Sequence, residues 1–256
     1  MQNLNIGLLQ YDQAWEDKSF NYQKIRNLLS SDVEVDLLLL PEMFNTGFSM
    51  NTSHGESMEN SKGINFLKTL SSELNCAIFT SLIISDGKKH FNRGVFIDTN
   101  QNIQLYDKRK TFGLAGEDKV FTSGETPTLV EFKGWRINLQ ICYDLRFPEL
   151  TSNRLGSDGS SKFDVILYVA NWPEKRQEHW NTLLKARAIE NQSFVIACNR
   201  VGIDFNNINY LGGSCVINAG GTVISKASNK EELIVTTIDK SDLNEIREQL
   251  PFLRDR

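Results

Sequence analysis

Three strand-like segments of the sequence end at residues that could act together in acyl transfer. Cys142 closes the run WRINLQIC, Glu42 follows the apolar run at residues 36–40 within LPEMFNTGF, and Lys108 follows a short strand within LYDKRK. A thiolate is a strong nucleophile, a carboxylate can carry protons, and an ammonium can stabilise an oxyanion. Each residue alone has an ordinary alternative: a small core hydrophobe, a cap on a loop backbone and a solvated basic cluster.

The surroundings of the cysteine strengthen the chemical interpretation. Cys142 is followed by a turn and by Pro148, which suits a first helical position and predicts a strand, a turn and a helix. In that setting a helix amino terminus or a nearby cation lowers the pKa of the thiol. Glu42 should lie at the carboxyl end of a buried strand, where partial burial would raise its pKa toward that of a general base.

Short β-rich runs alternate with amphipathic stretches, which predicts a layered α/β protein in which helices cover sheets. The hairpin before the last strand carries two adjacent glycines in its turn. Strands are predicted at residues 4–10, 37–40, 77–84, 94–98, 103–106, 136–142, 165–170, 194–198, 214–218, 223–226 and 233–238. Helices are predicted at residues 17–30 and 61–74, from Pro148, and at 178–192, and a long loop is predicted at 108–128.

Composition excludes several other classes of protein. The chain has 256 residues and a net charge of -4, so it offers no basic face for nucleic acid. The amino terminus lacks the features of a signal peptide and no apolar run could span a membrane, so we expect one cytoplasmic domain over residues 1–256. The four cysteines form no CxxC pair, which predicts free thiols, no disulfide framework and no zinc site.

Taken together, the blocks LPEMFNTGF, YDKRK and ICYDLRFPE resemble the carbon–nitrogen hydrolases of the nitrilase superfamily, whose catalytic triad is Glu, Lys and Cys. The blocks ANWP at residues 170–173 and LLKARAIENQSFVIACNRVG at 183–202 are similar to the omega-amidase branch. The resemblance implies a four-layer αββα sandwich, catalytic roles for Glu42, Lys108 and Cys142, and no metal or organic cofactor. It also implies homodimers, in which the tail from about residue 240 to 256 would pack on the partner subunit or on its own domain.

Further site residues follow from the same blocks. Glu117 occupies a place similar to a second glutamate of the family that orients the substrate or the lysine, although a solvent-facing role is also possible. The implied substrates are small dicarboxylate monoamides such as 2-oxoglutaramate. Arg146 and Arg176 are candidates to bind the distant carboxylate, and Arg146 could instead pair with Asp144 or Glu149. The aromatic residues that could line the pocket, if they are not core residues, are Phe44, Phe48, Tyr143 and Trp172.

Three other functions stay open at this stage. A cysteine–histidine hydrolase would use His90 or His179 as base to Cys142 or Cys198. A binding or scaffold protein could keep the fold without activity. Within the family, the same triad would serve a nitrilase, a carbamoyl hydrolase or an amide-forming synthetase.

Overall fold

Two six-stranded mixed sheets form the centre of the computed structural model, which describes residues 3–29 and 33–256. In spatial order, the first sheet contains β14 (Glu232–Asp239), β1 (Asn3–Gln10), β2 (Leu37–Leu39), β3 (Ala77–Asp86), β4 (Lys89–Ile97) and β5 (Ile103–Asp107). The second contains β13 (Val223–Lys226), β12 (Cys215–Ile217), β9 (Phe194–Asn199), β8 (Val165–Ala170), β7 (Trp135–Ile141) and β6 (Leu129–Phe132).

Each sheet has three parallel strands at its centre and antiparallel strands outside them. In the first sheet β1, β2 and β3 run parallel, and in the second β7, β8 and β9 do so. Parallel strands buried on both faces are usually continuous apolar runs, and β2 and β8 have this character. The carboxyl ends of these strands therefore meet at one rim of the paired sheets.

Helices cover the outer faces of the sheets and complete a four-layer αββα sandwich. The helices are α1 (Lys18–Leu28), α2 (Lys62–Leu74), α3 (Glu117–Val120), α4 (Gln177–Asn191) and α5 (Lys240–Gln249). The first two pack Ile25 and Leu67 against the first sheet, and α4 packs Leu184 against the second. Between the sheets, side chains such as Phe79 and Leu167 form the main core. The predicted fold class is confirmed.

Local polar groups explain where the helices begin and end. The side chain of Asp17 accepts a hydrogen bond from the backbone N–H of Phe20 at the start of α1, and Ser61 accepts one from Ile64 at the start of α2. Asn75 ends α2 in the left-handed conformation, which a short polar side chain tolerates. Along the described part of the chain, no helix combines the length and the apolar character that crossing a membrane requires.

Several predicted elements differ in the structure. The predicted helix from Pro148 is wrong, because the chain forms a 3₁₀ turn at Pro148–Thr151 instead, directly after another at Cys142–Arg146. The following residues lack apolar periodicity, and Asn153 instead donates to the backbone carbonyls of Phe163 and Asn191, which fixes an irregular loop.

Other short elements escaped prediction because their apolar patterns are brief. The long loop contains α3, and β6 precedes β7. A small hairpin of β10 (Val201–Ile203) and β11 (Asn209–Leu211) also escaped prediction.

The carboxyl-terminal segment packs at least in part on its own domain. Leu243 and Leu253 are buried, and the Arg247 guanidinium donates to the Asp164 carboxylate at 2.9 Å. Leu250 and Phe252 stay half exposed. Packing of this segment on a partner subunit therefore stays a prediction, to which only its exposed residues could contribute.

Candidate active site

Four strands deliver polar side chains to one rim of the sandwich. Glu42 lies just beyond β2, Lys108 directly follows β5, Cys142 directly follows β7, and Asn171 directly follows β8. The first two come from the first sheet and the other two from the second. Facing strand ends thus bring residues from distant parts of the chain into one cluster.

The carboxylate of Glu42 is the centre of this cluster. Its Oε1 accepts hydrogen bonds from Lys108 Nζ and Asn92 Nδ2, both at 2.8 Å, and its Oε2 accepts one from the backbone N–H of Asn171 at 2.9 Å. The side chain of Asn171 also donates to the Glu42 carbonyl at 2.6 Å. These contacts hold both oxygens of the fully buried carboxylate in one orientation.

Glu117 is buried beside Lys108 rather than facing solvent. Its two oxygens lie 3.0 and 2.9 Å from Lys108 Nζ, and the backbone N–H of Phe112 donates to it at 2.5 Å. The short helix α3 therefore carries this glutamate into the interior. Asn92 donates to both glutamates and so links their carboxylates.

Lys108 keeps its positive charge in this buried position. Burial alone lowers the pKa of its ammonium, but the carboxylates of Glu117 and Glu42 raise that pKa well above its usual value. The cation also lies 5.1 Å from the centre of the Phe48 ring. The cluster therefore contains a permanent cation that is shared between two carboxylates.

The environment of Cys142 differs from the predicted one. Burial and, after it, the Glu42 carboxylate raise the pKa of the Cys142 thiol well above its ordinary value, although Lys108 opposes this effect. The expectation of a lowered thiol pKa is wrong, because no long helix begins at this turn and the buried carboxylate repels a thiolate. The Cys142 thiol is therefore buried beside the Glu42 carboxylate, with which it interacts.

The backbone at the cysteine is strained. Cys142 has a φ of 45°, in the left-handed region that residues with a side chain seldom adopt. Asp144 supports this turn by accepting a hydrogen bond from the backbone N–H of Ile141 at 3.0 Å. It also accepts bonds from the Tyr106 hydroxyl and the Lys110 backbone N–H, both at 2.9 Å. The Asp144 carboxylate thus ties the cysteine turn to the chain on either side of Lys108.

A cavity of about 290 Å³ opens at Cys142. This volume suits a small molecule. Five of the residues predicted to bind substrate line it: Phe48, Tyr143, Arg146, Trp172 and Arg176.

Two arginines give the cavity a positive wall. The guanidinium of Arg146 lies 4.7 Å from the centre of the Trp172 ring, and that of Arg176 lies 5.2 Å from the centre of the Phe112 ring. Burial, followed by the charge of Arg176, lowers the pKa of Arg146. Within residues 3–29 and 33–256, neither arginine forms an ion pair, so the alternative pairing of Arg146 with Asp144 or Glu149 is absent there.

Phe44 does not belong to this cavity. Its ring is fully buried beneath α1 and α2, where it lies 6.0 Å from the Tyr22 ring and 6.1 Å from the Phe66 ring. The backbone turns between Glu42 and Phe44, and Met43 adopts a φ of 47°. The predicted lining role is therefore wrong, and Phe44 is a core residue.

The histidines lie outside the cluster. His90 contacts the Ser85 hydroxyl at 2.8 Å, and exposed His179 contacts the Arg146 guanidinium at 3.2 Å. Cys198 is buried between the sheets and donates to the backbone carbonyls of Leu9 and Leu39. This arrangement gives no support to a cysteine–histidine pair. Across the described ranges, no group of three or more His, Cys, Asp or Glu residues could hold a metal ion.

Three supporting residues were not predicted. Asn92 lies within β4 but before the strand predicted at residues 94–98, so no local signal marks it. Asn171 and Asp144 belong to the blocks ANWP and ICYDLRFPE and could have been chosen from them. All three act through hydrogen bonds to distant backbone or side-chain groups, and sequence spacing does not reveal such contacts.

Comparisons with known proteins identify the family of the chain. The carbon-nitrogen hydrolase family model matches residues 5–248. Omega-amidase YafV of Yersinia enterocolitica is 37% identical over 256 residues, covering 100% of this chain and 97% of that protein. The 2-oxoglutaramate amidase of Paenarthrobacter nicotinovorans is 33% identical over 91% of this chain and 82% of its own.

A solved structure gives the same result. A CN-hydrolase superfamily protein from Xanthomonas campestris, with an arsenic adduct in its active site, superposes with a TM-score of 0.94. It is 38% identical, and the match covers 100% of this chain and 98% of the other. The chain therefore belongs to the carbon–nitrogen hydrolase family.

Proposed function

We propose that the protein hydrolyses the terminal carboxamide of small dicarboxylate monoamides, such as 2-oxoglutaramate or 2-oxosuccinamate, to the acid and ammonia. The observation that carries this proposal is the Glu42 carboxylate, which accepts a hydrogen bond from the Lys108 ammonium and interacts with the thiol of Cys142, a residue that lines a small cavity. The relatives named omega-amidase and 2-oxoglutaramate amidase support this substrate class.

In the proposed first step, Glu42 takes the thiol proton while the sulfur of Cys142 attacks the amide carbon. The high pKa of the resting thiol makes an adjacent base necessary. Lys108 and the backbone N–H of Tyr143 stabilise the oxyanion. Glu42 then returns the proton to nitrogen, the C–N bond breaks, and ammonia leaves a thioester on the sulfur.

In the second step, Glu42 deprotonates a water molecule that attacks the thioester. The C–S bond breaks, the acid product forms, and the proton returns to the thiol. We propose that Glu117 and Asn92 hold Lys108 and Glu42 in place throughout, since Glu117 contributes two contacts to Lys108 and Asn92 bonds both carboxylates. Removing a donor to an oxyanion typically costs on the order of 3 kcal/mol of transition-state stabilisation.

The two arginines of the cavity suit the carboxylate at the far end of such a substrate. Arginine binds carboxylates through paired hydrogen bonds, and neither guanidinium is neutralised by an ion pair in the described ranges. R176A should raise KM for 2-oxoglutaramate far more than KM for a neutral short amide, measured by steady-state ammonia release. Equal effects on both substrates would contradict this role.

Ammonia release from a panel of small amides, one carbamoyl compound and one nitrile tests the proposed reaction. We expect the highest kcat/KM with 2-oxoglutaramate or 2-oxosuccinamate, a lower value with propionamide, and none with propionitrile. A preference for the nitrile or for a carbamoyl compound would favour the other activities that the same triad can support. Absence of turnover on every compound would favour a scaffold of the same fold.

The homodimer is a separate proposal. The half-exposed side chains of Leu250 and Phe252 in the carboxyl-terminal segment offer apolar area for a second subunit. Light scattering of the purified protein should give twice the mass of one chain. The mass of a single chain at micromolar concentration would contradict this proposal.

A further inference from the structure

One exposed histidine contacts the arginine wall of the cavity. His179 is the third residue of α4, and its Nδ1 lies 3.2 Å from Nη2 of Arg146. A guanidinium has no acceptor, so the imidazole nitrogen must accept this hydrogen bond. The contact therefore requires a neutral imidazole that carries its proton on Nε2.

The position of His179 is fixed by the residue that follows it. Trp180 is fully buried, donates to the Gly213 carbonyl at 3.0 Å, and packs against Trp172, with ring centres 5.5 Å apart. Trp172 is also the ring beneath the Arg146 guanidinium. The histidine thus directly precedes in sequence a buried anchor, Trp180, that packs against Trp172, and Trp172 lines the cavity.

Arg146 needs such an anchor because its other contacts do not fix its direction. The guanidinium lies over two aromatic rings, and the charge of the neighbouring Arg176 repels it. Aromatic contacts position a cation above a ring but leave it free to rotate or slide. In the described part of the chain, the bond to His179 is the side-chain hydrogen bond that gives the guanidinium a direction.

We propose that His179 is a positioning residue that directs Arg146 toward the carboxylate of the substrate and so contributes to the selection of anionic amides. This proposal rests on the function proposed above and adds a residue to its specificity. His179 itself does not contact the reacting atoms. Its effect should therefore appear in KM for an anionic substrate and leave kcat for a neutral one unchanged.

Substitutions at this position separate the hydrogen bond from the rest of the side chain. H179A removes the acceptor, whereas H179N places an amide oxygen close to where Nδ1 lies. T182A is a matched control, because Thr182 is exposed on the same helix and its side chain bonds only Glu178 in the described residues. R146A sets the full effect of losing the guanidinium.

We expect H179A to raise KM for 2-oxoglutaramate about three- to tenfold, the range of an ordinary hydrogen bond, because solvent at the exposed His179 screens the charge of the guanidinium. KM for propionamide and kcat on both substrates should change less than about twofold, on the same reasoning. H179N should restore most of the affinity, and T182A should behave as the unmodified enzyme.

Calorimetry with 2-oxoglutarate, the expected product, compares the affinity of the same variants for an anion without turnover. If H179A leaves the preference for anions unchanged while R146A removes it, the positioning role is wrong and the proposed function stands. If R146A also leaves the preference unchanged, the arginine clamp and the role of His179 both fail. If no amide is hydrolysed, the proposed function fails. The positioning role would still be supported if H179A binds the dicarboxylate more weakly than the unmodified protein while T182A does not.

Discussion

Replacing Glu42 by glutamine removes the proposed proton carrier with little change in shape. The carboxylate accepts three hydrogen bonds, at 2.8, 2.8 and 2.9 Å, from Lys108, Asn92 and the Asn171 backbone N–H. A glutamine side chain has one acceptor oxygen, so at least one of these donors loses its partner. Lys108 keeps its two contacts with Glu117 and stays neutralised.

The expected losses in stability and in turnover are therefore very different. One buried donor without an acceptor costs about 1 to 3 kcal/mol of the free energy of unfolding. Removing a general base costs roughly 10² to 10⁴ in rate, and Glu42 is proposed to act in both steps, so kcat should fall at least about a thousandfold. E42Q should thus be a folded protein without useful activity.

Ammonia release and urea unfolding measure the two effects separately. E56Q is a matched control, because Glu56 is a partly buried carboxylate whose side-chain hydrogen bonds, in the described residues, join Lys18, Ser61 and the Gly63 backbone N–H and no member of the cluster. It should lose similar stability and keep kcat within about twofold, since one lost hydrogen bond away from the site alters only stability. An E42Q protein that retains a tenth of the normal kcat would refute Glu42 as the proton carrier.

Two further predictions concern the support of the site and the corrected position of Phe44. Burial raises the pKa of Asp144 to about 6, so its carboxyl contributes stability that is complete below its unfolded pKa near 4 and is lost as the pH rises through 6. Relative to D144N, the unmodified protein should therefore lose about 2 to 3 kcal/mol of unfolding free energy between pH 4 and pH 7, measured in urea. A difference in unfolding free energy between the two proteins that does not change with pH would contradict the raised pKa of Asp144. F44A should cost about 3 to 5 kcal/mol of unfolding free energy without changing KM, whereas F48A should raise KM at a smaller cost in stability. The reverse pattern would show that Phe44, and not Phe48, lines the cavity.

The sequence predicts much of the fold because its central strands are continuous apolar runs. Residues 37–40, 165–170 and 194–198 are too apolar for an exposed strand, and the intervening amphipathic segments are long enough for helices. The prediction of four αββα layers came from the resemblance to a family, because the alternation of strands and helices does not show that two sheets pack face to face. The predicted helix at Pro148 failed because a favourable first residue cannot extend a helix through a polar, glycine-containing segment.

At the site, residue type and strand-end position made Glu42, Lys108 and Cys142 candidates, and the resemblance to a family added their predicted roles. The fold brings the three residues together. The pKa of the thiol could not be predicted, because it depends on how deeply the turn is buried and on which charge lies nearer. Phe44 was wrongly predicted to line the cavity for a related reason. Near this turn, a shift of one residue along the chain decides whether a side chain faces the cavity or the core.

Turnover by C142A tests the central claim most directly. The thiol is buried, and replacing it by a methyl group removes no hydrogen bond on which Lys108 or Glu117 depends. We expect a folded protein, judged by its unfolding transition, that releases no detectable ammonia from 2-oxoglutaramate. Ammonia release by C142A at a rate close to that of the unmodified enzyme would contradict the assignment of Cys142 as the nucleophile.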